Sequence, residues 1–176
     1  VSGFPVRALV HAALAAVAVQ PIVFCIWPLL PVVLSGTEVS WQEVLALLAC
    51  VLVVASVFVI LLGVPSFLLL LRLGQPTFLA AGLTGFFVAA MPLAILSWPS
   101  QQGMTSSGGN WFGRQVEFYV SGVPTLYEWL SFADGLLRLG FYGLISALVF
   151  FAVWRKRLYG RAFCCASQSS HSRPSR

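Results

Sequence analysis

The residue best placed to do chemistry inside the apolar part of this sequence is Gln20, followed at once by Pro21. Glutamine carries both donors and an acceptor, and the proline frees a backbone carbonyl beside it. Such a pair could contact a substrate or line a path between helices. It could equally bond a neighbouring helix, a contact worth about 0.6 kcal/mol on average. Other reactive types are sparse. His11 and His171 have no carboxylate or cysteine at ligand spacing, so H-E-x-x-H metal chemistry is absent. Cys25 and Cys50 lie in apolar runs, where cysteine acts as a small hydrophobe. Cys164 and Cys165 are adjacent in a basic tail, and neither pair has C-x-x-C spacing. There is no G-x-S-x-G elbow and no phosphate-cradling glycine loop. No acid falls near the middle of an apolar run, as a proton-coupled path would need. The expectation is a protein that is not an enzyme and uses no cofactor or metal.

The elements around these residues follow from composition. Of 176 residues, 59% are hydrophobic and 9% charged, against about 25% charged in a soluble domain. The mean hydropathy is +0.92. So few charges cannot cover a water-facing surface, whereas lipid can solvate the apolar remainder. A span needs about 20 apolar residues, which gives four here. The predicted fold class is all-α: a polytopic membrane protein with four transmembrane helices in an antiparallel bundle and a short surface helix before the last span. The spans fall at about 6–34, 41–73, 77–98 and 135–154. An outer loop covers 99–134, with a flexible stretch at 101–110, and residues 162–176 form a disordered tail. Pro21, Pro28 and Pro31 predict a bend and an irregular end in span one, and Gly63 with Pro65 a kink in span two. Ser40 and Glu43 have capping-box spacing. A rival for the start is a cleaved signal peptide, with Arg7, an apolar run and Ala16-Val17-Ala18. Against it, the apolar run continues past that point.

Charge sets the expected sidedness. Arg7, Arg72, Arg155, Lys156, Arg157, Arg161, Arg173 and Arg176 fall on one side of a four-span chain, and Arg114 and Arg138 on the other. Basic residues near span ends mark the cytoplasmic face, so both termini are predicted inside. The acids Glu38, Glu43, Glu117, Glu128 and Asp134 all fall outside. The net charge of +5 is explained by this clustering, and nucleic-acid binding is not expected. Trp41, Trp98 and Trp154 sit at span borders, where indoles prefer the headgroup region. Asp134 and Arg138 are spaced to pair on one helix.

Small residues recur every four positions: Ala8, Ala12 and Ala16; Ala81, Gly85 and Ala89; Gly143 and Ala147, with Gly140 a turn earlier. This spacing lets helix backbones approach closely, as internal packing or as an interface with a partner or a second copy. The stretch Leu62-Gly63-Val64-Pro65-Ser66-Phe67-Leu68-Leu69-Leu70-Leu71-Arg72-Leu73-Gly74, with the Ala/Gly-rich span after it, resembles small uncharacterised four-span inner-membrane proteins of Gram-negative bacteria. That resemblance covers spans two and three and implies a compartment without a mechanism. Function is expected through the bilayer and a protein partner or homo-oligomer. A toxin-immunity protein using its outer loops and a small transporter or channel component are the alternatives. The segment from Pro99 to Asp134 holds the distinctive polar material.

Overall fold

Apolar runs set the helices, and missing backbone donors set their irregularities. The computed structural model describes residues 6–34, 40–74, 76–100 and 106–169. The first run holds α1 (Val6–Phe24), a π-helical turn (Cys25–Leu29) and α2 (Leu30–Leu34). Pro28 has no N–H to donate, and the Leu30 N–H instead reaches back five residues to the Cys25 carbonyl. The helix is unbroken at Pro21, so the irregularity falls a turn later than the Gln20-Pro21 step. The second run holds α3 (Trp41–Phe58), a π-helical turn (Val59–Gly63) and α4 (Val64–Arg72). Here the Val64 N–H reaches the Val59 carbonyl, and Pro65 follows in the first turn of α4. Ser40 stands at the N-cap of α3 with extended backbone, yet its side chain makes no cap bond, so the predicted capping box does not form. Gly74, at φ 69°, ends α4 in the left-handed conformation that glycine accepts. Thr77 then caps α5 (Phe78–Leu96) by accepting from the Ala80 N–H at 3.1 Å.

Between α5 and α6 (Leu126–Ser169) lies a three-stranded antiparallel sheet of β1 (Ser107–Trp111), β2 (Arg114–Val120) and β3 (Val123–Pro124), in that order. This corrects the expectation of a flexible loop: of the stretch 101–110, residues 101–105 lie outside the described residues and the end of it is strand. Among the described residues, the helix expected before the last span runs directly into it, since α6 is continuous from Leu126. It also runs to Ser169, past the predicted start of disorder at residue 162. The side chains of Cys164 and Cys165, and residues 170–176, lie outside what the structure describes.

The class is all-α. Four helices are long and apolar enough to cross a membrane: Val6–Trp27, Trp41–Arg72, Phe78–Leu96 and Leu126–Arg157. At most 22% of any of their apolar windows is buried inside the chain. Leu45, Val53, Ile60, Leu79 and Ile95 all point outward, which only lipid or another apolar surface can solvate. The chain is thus a multi-pass membrane protein.

It divides into two units. The first comprises Val1–Gly85 and Leu144–Arg176. Its core joins Ala12 and Ala16 of α1, Phe67 of α4, Ala81 of α5, and Phe150 and Phe151 of α6. Phe67 brings an aromatic ring into this cluster of small residues. That ring makes edge contacts with Phe150 at 4.8 Å and Trp154 at 5.0 Å between centroids. The second unit, Phe86–Gly143, contains the sheet. Near it Trp98 packs edge-on against Trp129 at 5.4 Å and Phe132 at 5.6 Å.

Candidate functional site

Two features carry polar groups into defined positions, one in each unit. In the first unit Gln20, half-buried on α1, donates from Nε2 to Ser146 Oγ on α6. The Ser146 hydroxyl in turn donates to the Ala16 carbonyl at 3.2 Å. Ser146 is the buried polar residue of the described core. Its hydroxyl both donates and accepts, so one serine ties the first and last helices of the chain together. The residue singled out in the sequence as a polar intramembrane site therefore has a protein partner 126 positions away. Nothing in the local sequence marks Ser146 for this role.

The predicted packing seam is placed unevenly. Ala8, Ala12, Ala16 and Ala81 are buried, whereas Gly85, Ala89, Gly143 and Ala147 are half-buried. Close approaches fall at Gly82, beside the seam, and at Gly140, which the spacing included. A Cβ on Gly82 would meet Leu148 Cδ2 at 3.3 Å, in the first unit. In the second, a Cβ on Gly140 would stand 2.3 Å from the Phe86 ring. Absence of a side chain at Gly140 is what seats that ring, which also packs on Phe87 and Phe141. Asp134 and Arg138 form the expected ion pair at 2.7 Å, with both side chains partly exposed.

The sheet is the second feature. Two-residue turns join its strands: Phe112-Gly113, with φ of 46° and 83°, and Ser121-Gly122, with φ of 50° and 78°. Positive φ at both central positions matches the strand twist, as in type I′ hairpins. The Asn110 side chain accepts from the Gly113 N–H at 2.7 Å and stiffens the first turn. Register pairs Gly109 with Val116 and Trp111 with Arg114, and Asn110 with Gln115 and Gly108 with Glu117. One face of the hairpin thus carries Trp111, Arg114, Val116 and Phe118, and the other Asn110, Gln115, Glu117 and, at its base, Tyr119. Phe118 lies across bare Gly109, where a Cβ would come within 2.7 Å of its ring.

The base of this sheet is pinned to α6. Thr125 donates from its backbone N–H to the Phe118 carbonyl at 2.8 Å and from Oγ1 to the Glu117 carbonyl at 2.6 Å. The Tyr119 hydroxyl donates to the Glu128 carboxylate at 3.3 Å. Burial first, and then the neighbouring Glu128 charge, push the Tyr119 phenol above its ordinary value. The opposite end is free of such ties: Phe112, at the tip, is 78% exposed and touches Trp111 edge-on at 5.0 Å. The signals for this sheet were the alternation from Gln115 to Val120 and the dipeptides Phe112-Gly113 and Ser121-Gly122.

Among the described residues, no group of three His, Cys, Asp or Glu side chains could hold a metal ion. No protein-family model matches the chain, and no curated protein or solved structure matches it.

Proposed function

We propose that this chain is a non-enzymatic protein of the bacterial inner membrane, with both termini cytoplasmic, that acts through a protein partner or as a membrane subunit. The β1–β2 hairpin would face outward and serve as its recognition element. Sidedness is supported by the eight Lys and Arg residues at one set of span ends against Arg114 and Arg138 at the other. The observation that carries recognition is Phe112. A turn at this position favours asparagine, aspartate or glycine, and an L-residue pays about 1–2 kcal/mol for left-handed backbone. A bulky aromatic that is 78% exposed there gives back only its edge contact with Trp111, and its remaining apolar surface is best explained by something that covers it.

Alkaline phosphatase fused near Gly108 should be active and, fused after Arg157, inactive; the reverse pattern would overturn the sidedness. A photo-crosslinking phenylalanine analogue at position 112 should give one discrete protein adduct in living cells. The same probe at Gln115, on the polar face, should not. Lipid adducts alone at position 112, or equal labelling at both positions, would refute recognition by the tip.

A further inference from the structure

We propose that the basic end of the first unit is a binding site for anionic phospholipid headgroups, built by the tertiary structure from three separate helix ends. The inference rests on the four-span membrane reading above and goes beyond it.

The shared core layer fixes the geometry. Ala12, Phe67, Ala81 and Phe151 belong to one packed cluster. Arg7 precedes Ala12 by five positions, Arg72 follows Phe67 by five, and Arg155 follows Phe151 by four. At 1.5 Å per helical residue, each cation stands about 6–7.5 Å along its own helix beyond a residue of that cluster. Arg155 confirms the end: its guanidinium lies over the ring of Phe78, the first residue of α5, at 5.6 Å from the centroid. Phe78 itself packs edge-on against Phe151 at 4.7 Å. Lys156 and Arg157 follow on α6, and all five side chains are exposed.

Charge balance at this end is one-sided. The stretches forming the first unit contain two acids, Glu38 and Glu43. Glu43 lies in the first turn of α3, at the far end of the run that closes on Arg72. Among the described residues of this unit, Glu43 is therefore not placed to neutralise the cluster. Marking orientation needs only cations near span ends. Cations at the ends of α1, α4 and α6, helices that share one core cluster, with the Arg155 guanidinium held on the Phe78 ring, also make a surface matched to phosphate diesters. Arginine suits that partner because its planar donor fork fits phosphate oxygens. Each basic residue near an anionic surface strengthens attachment by about fivefold.

Trp154, packed on Phe67 in this layer, is a reporter in place. A full-length variant keeping Trp154, with Trp27, Trp41, Trp98, Trp111 and Trp129 changed to Phe, would be reconstituted in phosphatidylcholine vesicles containing phosphatidylglycerol. Acyl-brominated phosphatidylglycerol should quench Trp154 at least tenfold more effectively, per mole fraction, than brominated phosphatidylcholine. Arg72→Gln with Arg155→Gln should cut that preference by about tenfold or more, whereas Arg72→Lys with Arg155→Lys, which keeps the charge and loses the fork, should keep more of it than the glutamine pair. Equal quenching by the two lipids, or a preference untouched by the glutamine variants, overturns the site. If neither brominated lipid quenches, the membrane reading fails as well. Should the tryptophan variant not fold, the wild-type chain gives a second readout. Phosphatidylglycerol retained through detergent washing, and lost in the glutamine variant, supports the site; equal retention by both proteins overturns it.

Discussion

Gly140→Ala is the substitution whose cost the structure fixes most closely. The added Cβ would lie 2.3 Å from Phe86 Cε2 and 2.6 Å from both Cδ2 and Cζ. Carbon atoms in contact prefer about 3.5–4.0 Å, so ring and helix must separate by roughly 1.2 Å. The Phe86 ring is poorly placed to yield. It sits edge-on to Phe87 at 5.6 Å and to Phe141 at 6.1 Å, and such pairs contribute about 0.5–1.5 kcal/mol each. Overpacking of a filled site costs about 1–3 kcal/mol, and Ala gains up to about 1 kcal/mol over Gly in helix propensity. The expected net loss is about 2 kcal/mol. Gly82→Ala is the control: its nearest neighbour is Leu148 Cδ2 at 3.3 Å, the tip of a flexible side chain. Propensity should offset that contact, leaving a change within about 0.5 kcal/mol. Reversible unfolding in mixed dodecyl maltoside and dodecyl sulfate micelles, followed by circular dichroism, would measure both. Phe86→Ala should rescue Gly140→Ala in a double-mutant cycle, because the two changes share one space. A Gly140→Ala protein as stable as wild type, or a strictly additive double variant, would refute the close approach.

Three further outcomes follow from the same geometry. Gln20→Leu and Ser146→Ala should show a coupling energy of about 0.6 kcal/mol, and no more than about 1.7 kcal/mol, in the same unfolding assay; zero coupling would mean the interhelical bond contributes nothing. Phe112→Asn should stabilise the hairpin by about 1 kcal/mol by relieving left-handed backbone, seen as slower hydrogen exchange at the β1–β2 amides; faster exchange would contradict this. The Tyr119 phenol is held above its ordinary value of 10.0, so the folded state favours its protonated form. Its contribution is whole below that value and is lost as pH rises through the raised one. Tyr119→Phe should therefore remove part of the alkaline destabilisation of the hairpin, and an unchanged pH profile would count against the Tyr119–Glu128 contact.

The residues themselves determined the solvent and the number of spans. Burial of apolar side chains is non-directional and sums along a run, so a stretch such as Trp41–Arg72 declares itself whatever it packs against. Pro28 and Pro65 likewise marked irregular backbone, because a missing donor acts locally. The pairing of Asp134 with Arg138 was legible for the same reason, being set by one helix's own repeat. The sheet was half-legible: alternation over Gln115–Val120 is a local signal, but short strands between long apolar runs are easily taken for loop.

Contacts between distant segments belong to the tertiary structure alone. Gln20 was visible as polar and deep, yet its partner Ser146 lies in another helix. Ala81, Gly85, Ala89, Gly143 and Ala147, with Gly140 a turn earlier, shared the right spacing, while close approaches fall at Gly140 and also at Gly82, where Phe86 and Leu148 occupy the space. Phe67 looked like one apolar residue among many until folding set its ring against Phe150 and Trp154 in one cluster with Ala12 and Ala16. Spacing along a chain says which residues share a helix face. Which face meets which neighbour is set by the fit of large side chains against small ones, and that fit exists only once the helices are assembled.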